Sequence, residues 1–162
     1  MNVEFRRADP ATELRSLVIF DRKVFSATDA FPADMWSEIE PWWMLVDGVK
    51  AGCCAFERNL NFDRHGEPFA QKGSLYIATT GILPRFQGKG LGRLMKSWQV
   101  AFARHHHFSR IVTNHRASNH AIISLNRSFG FKQVRKIPGY YLEPEEPAIS
   151  MELVLTRRSS KD

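Results

Sequence analysis

Ile82-Leu83-Pro84-Arg85-Phe86-Gln87-Gly88-Lys89-Gly90-Leu91-Gly92 decides the reading of this chain. It follows an apolar run from Leu75 to Leu83, and Pro84 punctuates the change. A helical pattern, Leu91 to Arg104, opens behind it. Glycines at 88, 90 and 92 leave several backbone N–H groups uncovered at a strand-to-helix junction. Those groups and the positive end of the helix form a ready anion site, suited to a phosphate or pyrophosphate.

Upstream, Val3 and Phe5 alternate with polar neighbours as a first strand. Asp9-Pro10 reads as an N-cap and a first-turn proline, and a helix is expected to run to about Phe25. Ser26 to Ala30 is a polar break, and a short second helix is expected over Ala33 to Glu40. Trp42 to Val46, the turn Asp47-Gly48, and Val49 to Phe56 form a hairpin signal. Arg58 to Gly73 is polar and reads as a loop. Downstream, Ile111 to Thr113 is a strand. Asn119 to Phe129 is a helix stopped by Gly130, and Phe131 to Val134 is a strand. Pro138 to Pro147 reads as a loop, and Ile149 to Leu155 as a last strand. Helices alternate with strands only in the second half. This order predicts a mixed α+β fold, with a mostly antiparallel sheet and helices on both faces, not a doubly wound nucleotide fold.

The 162 residues are expected to form one domain over 1–156, with a polar tail at 157–162. Hydrophobic residues make 43% and charged residues 25%, an ordinary globular composition that argues against disorder. The net charge of +6 favours anionic ligands but is too diffuse to point to nucleic acid, which is not expected as a partner. The only cysteines, Cys53 and Cys54, are adjacent, a spacing that rarely bridges. No metal-ligand spacing occurs, and no metal is expected. His105-His106-His107 points in three directions on a helix end and reads as a solvated terminus. No run approaches the ~18 apolar residues that cross a bilayer, so no membrane is expected and the cytoplasm fits best.

Three glycine-loop chemistries compete. A P-loop needs Gly, four residues, then Gly-Lys-Ser/Thr, but Gly90 follows Gly88-Lys89 and supplies no hydroxyl for magnesium. A dinucleotide site needs an acid about 20 residues further on, and Ser109 to Thr113 offers none. The third fits. Ile82 to Gly92 resembles, position by position, the pattern of the GNAT family of acetyl-CoA-dependent N-acetyltransferases. Asn119-His120-Ala121-Ile122 and Phe129-Gly130-Phe131 match that family's second block in order and spacing.

The resemblance implies that the Gln87, Gly88, Lys89, Gly90, Leu91 and Gly92 backbone holds the coenzyme A pyrophosphate. It also implies that Ile82 and Leu83 lie along the pantetheine arm, and that Asn119 contacts the cofactor. Asn119 reads equally as a plain N-cap, and both roles are compatible. The chemistry is attack of a neutral amine on a thioester, which needs a path for the amine proton and help for the leaving thiolate.

The family's usual acid, a tyrosine in Leu-Tyr-x-x-x-Gly-Phe, is replaced here by Asn126. The glutamate that some relatives carry five residues before the motif asparagine is Asn114. An amide can donate a hydrogen bond to sulfur but is no proton source near neutrality. Tyr76 reads as an aromatic filling the sheet face, while the resemblance implies a base acting through water, as in some N-terminal acetyltransferases with a tyrosine at that place. His115 alternates with Asn114 along the strand, so only one of them faces the cleft, and a surface or loop-edge place is favoured for His115.

On the acceptor side, Pro138-Gly139-Tyr140-Tyr141 with Glu143, Glu145 and Glu146 resembles the C-terminal end of ribosomal-protein N-alpha-acetyltransferases. Asp21 to Phe25 and Phe31-Pro32 resemble their N-terminal portion. The resemblance implies that Phe31, Tyr140 and Tyr141 line a channel for a peptide N-terminus. The acetyl donor is then acetyl-CoA and the acceptor an amine, and a homodimer stays open. Three functions remain in view: acetylation of a protein or peptide amine, acetylation of a small-molecule amine, and acyl-CoA binding without turnover.

Overall fold

The structure, a computed structural model, describes residues 1–155. The tail expected at 157–162 lies outside the described residues. The elements run β1 (Val3–Arg7), α1 (Pro10–Val24), a 3-10 turn (Ala33–Ser37), β2 (Glu40–Val46), β3 (Val49–Phe62) and β4 (Pro68–Ile82). A second 3-10 turn (Pro84–Phe86), α2 (Leu91–His105), β5 (Arg110–Arg116), α3 (His120–Ser128), β6 (Lys132–Tyr141) and β7 (Glu146–Val154) follow. The strands form one seven-stranded sheet in the order β1-β2-β3-β4-β5-β7-β6. The pairs β1–β2, β2–β3, β5–β7 and β6–β7 are antiparallel. This is the mixed, mostly antiparallel architecture expected from the element order.

The chain divides into two compact units, Met1–Glu57 with Ile77–Met95, and Arg58–Tyr76 with the chain from Lys96 onward. In the first, α1 begins where the caps predict: the Asp9 carboxylate accepts the Ala11 N–H at 2.9 Å and Pro10 takes the first helical position. Leu17, Phe20, Asp21 and Val24 form a stripe at i, i+3, i+4 and i+7 that packs on Trp36, Trp43 and Cys53. Leu17 is wholly buried, and a side chain of its kind contributes about 1.5–3 kcal/mol by leaving water.

Two glycines let helices approach this part of the sheet. A Cβ on Gly52 would sit 3.0 Å from the Met95 Cε of α2, and one on Gly81 would sit 2.9 Å from the Val24 Cγ1 of α1. Gly81 and Ile82, whose side chain lies against Gly52, point to opposite faces, so α1 and α2 cover opposite faces here.

The second unit packs Phe62, Leu75, Phe102, Ile111, Phe131, Ile137 and Met151 into its core. Three expectations are corrected by the structure. Arg58 to Gly73 is not a loop: β3 runs on to Phe62 and β4 starts at Pro68. A turn at 63–67 joins them, closed by the Asp63 carboxylate accepting the His65 and Glu67 N–H groups at 2.8 and 3.0 Å. Polar side chains hid these strands because the ladder needs only the backbone, and one face can stay wet. Pro138 to Pro147 is likewise a hairpin, with a register shift between Ile137 and Tyr141 that takes up Pro138 and Gly139. The helix expected over Ala33 to Glu40 is a single 3-10 turn ending at Ser37, because β2 begins at Glu40.

Candidate active site

The glycine loop lies in the first unit. The 3-10 turn Pro84–Phe86 leads out of β4, and Gly88 and Gly90 take φ of +75° and +79°, a left-handed backbone that glycine adopts without cost. A Cβ on Gly88, Gly90 or Gly92 would meet nothing within 4 Å, and residues 87–90 are exposed. The first helical bond of α2 runs from the Leu94 N–H to the Gly90 carbonyl at 3.1 Å. The loop therefore leaves open space in front of a helix N-terminus, a geometry suited to an anion. The Gln87 side chain donates to the Ile82 carbonyl at 3.0 Å, and the Leu83 N–H donates to the Ala51 carbonyl at 2.9 Å. In the same unit a groove of about 460 Å³ opens between α1 and the β2–β3 turn, lined by Phe20, Lys23, Trp43, Lys50, Leu83 and Arg85 among others. It contains none of the loop glycines.

Also in this unit, Asp21 is buried with its carboxylate accepting the Phe31 N–H at 2.7 Å. Burial pushes the Asp21 carboxyl up to about 6, against the opposing pull of that hydrogen bond and of Arg22. Phe31 stacks edge-on against Trp36 at 5.5 Å. The carboxylate thus fixes the backbone at the end of the polar break after α1.

The second unit carries the asparagine positions. On β5, Thr113 and His115 share one face by the two-residue period, and Asn114 points to the other. His115 is not the surface histidine expected. Its Nε2 lies 3.0 Å from the Thr113 hydroxyl and 3.0 Å from the Asn126 amide nitrogen on α3. Burial, and then the charge of Lys96, push its pKa down to about 3, so the ring is neutral across the working range. Its Nε2 then accepts from Asn126, which puts the ring proton on Nδ1.

Asn126 is fully buried, also donates toward the Met151 sulfur at 3.7 Å, and leaves its carbonyl oxygen without a partner. Asn119 is the N-cap of α3, accepting the Ile122 N–H at 3.3 Å, and its side chain lies at the exposed helix start. Tyr76 packs edge-on against Phe62 at 4.7 Å.

Asn114 is buried on the opposite face of β5, and neither amide atom has an aligned hydrogen bond. Burial raises the Tyr140 phenol pKa and the nearby Asn114 side chain pulls it back down. Tyr140 and Tyr141 stack edge-to-face at 5.0 Å. Asn114 and Tyr140 therefore meet, while Asn126 pairs with His115 on the other face. The sequence reading passed over Lys96, which is buried with its ammonium 5.1 Å from the Phe131 ring centre. Its helical spacing with Gln99 and Ala103, both buried, was the available signal.

Among the described residues no group of three or more His, Cys, Asp and Glu side chains is placed to hold a metal, and no helix is long and apolar enough to cross a membrane.

A strand-turn-glycine loop-helix on a sheet of this order defines an acetyltransferase fold, and comparison agrees. The chain belongs to the acetyltransferase (GNAT) family, whose family model matches residues 11–131. Its structure is similar to that of the ribosomal-protein-S18-alanine N-acetyltransferase from Escherichia coli, with a TM-score of 0.80, 16% identity, and coverage of 98% of this chain and 97% of that one. It is also similar to yncA, a putative acetyltransferase from Salmonella typhimurium solved with its cofactor acetyl-CoA, with a TM-score of 0.71, 22% identity and coverage of 99% and 98%. The NatC complex bound to Gag peptide and CoA contains a third similar chain, with a TM-score of 0.75, 16% identity and coverage of 96% and 100%. No curated protein sequence matches the chain. The protein is an acetyl-CoA-dependent acetyltransferase of this family.

Proposed function

We propose that the acceptor is the free N-terminal amine of a protein or peptide, acetylated by direct attack in a ternary complex. The observation that carries this reading is the Tyr140–Tyr141 pair on a hairpin whose turn bears Glu143 and Glu145, with Tyr140 against the buried Asn114 amide. On a chain of net charge +6, this acidic aromatic edge attracts an ammonium group and offers flat walls to a peptide backbone. Phe31, held through its N–H by Asp21, is a further candidate for contact with the acceptor.

Acetyl-CoA supplies a thioester carbon open to attack by a neutral amine. Gln87 to Gly92 would hold its pyrophosphate by backbone N–H groups, with Ile82, Leu83 and Asn119 along the arm. The chain's own groups then handle the proton. Asn114 cannot act as the glutamate base found in some relatives, but its two amide atoms can orient a water or the amine itself. Tyr76 is the proposed anchor for the water that takes the amine proton. The two cysteines, free and buried, accord with a reducing cytoplasm.

A panel assay of coenzyme A release tests this reading. It uses short peptides with free N-terminal alanine, serine or methionine, the same peptides N-terminally blocked, a polyamine and free amino acids. Turnover confined to unblocked peptides is the expected result. Turnover confined to small amines would replace the acceptor, and none with any amine would favour acyl-CoA binding without transfer.

A further inference from the structure

Arg116 holds the tyrosine hairpin from outside it. Arg116, the last residue of β5, is largely buried, with 15% of its side chain exposed. Its Nη1 donates to the Pro144 carbonyl at 2.9 Å and to the Glu146 carboxylate at 2.9 Å. Its Nη2 donates to the Leu142 carbonyl at 2.8 Å. The guanidinium carbon, Cζ, lies over the Tyr141 ring, 4.8 Å from its centre. Glu146 in turn accepts the Ser118 N–H at 3.0 Å and the Ser118 hydroxyl at 2.9 Å. Two carbonyls of the turn, the acid that opens β7 and the ring of Tyr141 thus converge on one cation.

A hairpin needs only its ladder to close, and this ladder is irregular where the tyrosines lie, shifting register between Ile137 and Tyr141. The turn also carries Glu143 at φ +51°, a backbone that a side chain adopts at a cost. What the ladder leaves loose, the guanidinium fixes. Its planar fork can serve two carbonyls and a carboxylate at once while stacking on a ring, which an ammonium cannot do.

We propose that Arg116 is a positioning residue for the acceptor: it sets Tyr140 and Tyr141 in the conformation that receives the amine, without touching the amine itself. This rests on the reading of the tyrosine hairpin as the acceptor wall.

The test is steady-state kinetics with the best acceptor of the panel, a short peptide with a free N-terminal alanine being the first probe. Acetyl-CoA affinity is measured alongside by calorimetry. Arg116→Gln should raise the acceptor KM by about tenfold or more, the scale of losing a charge-assisted contact, with kcat and acetyl-CoA affinity nearly unchanged. Arg116→Lys should recover only part of the loss and serves as the test if Arg116→Gln does not fold. An unchanged acceptor KM in a folded variant, or equal losses in acceptor KM and acetyl-CoA affinity, would overturn the proposal. Tyr141→Ala is run beside them. An unchanged KM there removes the acceptor-wall reading and this proposal with it. A raised KM there with a silent Arg116→Lys removes this proposal alone.

Discussion

Asn126 donates its side-chain N–H to the Nε2 of His115 across 3.0 Å, inside the protein, with Asn126 itself wholly buried. The residue at the family's acid position is therefore engaged in the packing of α3 on β5. Asn126→Ala should lower stability by about 1–3 kcal/mol, the cost of stranding a buried partner, and change kcat by less than about tenfold. Tyr76→Phe should cost more, about 10²–10⁴-fold, if Tyr76 anchors the general-base water. Chemical denaturation and steady-state kinetics of both variants decide this. A thousandfold loss in rate at Asn126 with a silent Tyr76 would refute the scheme.

The neutral state of His115 has its own signature. A base whose pKa is pressed down to about 3 adds stability that is full above the ordinary value of 6.5 and is lost as the pH falls toward 3. His115→Gln should flatten that acid limb of the stability curve, measured as the difference between variant and parent. It should leave the activity profile near neutrality with the same shape, since His115 does not titrate there.

Asp21 acts in the opposite sense. Its carboxyl is raised from 3.8 to about 6, so its contribution is full below pH 3.8 and is lost as the pH rises through 6. The full effect is roughly 3 kcal/mol. Asp21→Asn keeps an acceptor for the Phe31 N–H and removes the titration. Denaturation midpoints should show the parent losing stability relative to the variant between about pH 4 and 6. Parallel curves for the two proteins would contradict the burial argument.

At the glycine loop, Gly90→Asp places a carboxylate at φ +79° in open space, where aspartate is among the residues that tolerate a left-handed backbone. The fold should survive, and calorimetry should show acetyl-CoA binding weaker by about tenfold or more, at least ~1.4 kcal/mol. Unchanged affinity would remove the pyrophosphate assignment.

Cys53 and Cys54 are buried in β3, and burial pushes the Cys53 thiol well above its ordinary value. A thiol kept protonated is a poor nucleophile. The native protein should resist alkylation that the denatured protein undergoes, and the Cys53→Ala/Cys54→Ala double variant should keep most of its activity. Loss of turnover in a folded variant with normal acetyl-CoA binding would point instead to a catalytic thiol.

Much of this protein was written in local chemistry. Pro84 and the glycines at 88, 90 and 92 announce the loop: Gly88 and Gly90 take a left-handed backbone that glycine adopts without cost, and none of the three adds a side chain to the space in front of the helix. Asp9-Pro10 and Gly130 mark helix ends for equally local reasons. What was illegible depends on partners far away in sequence. The strands over Arg58 to Phe62 and Pro68 to Gly73 are polar, and only pairing makes them strands. The burial of His115 follows from α3 packing over β5, which no period-two pattern of a seven-residue strand reveals. Asp21 is held by the N–H of Phe31, ten residues on, a contact that no local pattern announces. Arg116 became the clasp of the tyrosine hairpin only when the turn near Pro144, some 28 residues later, folded back to it. The sequence determined the elements with local punctuation and the anion loop. Tertiary structure decided which polar side chains are buried and what each of them holds, because a hydrogen bond is fixed by position in space and not by distance along the chain.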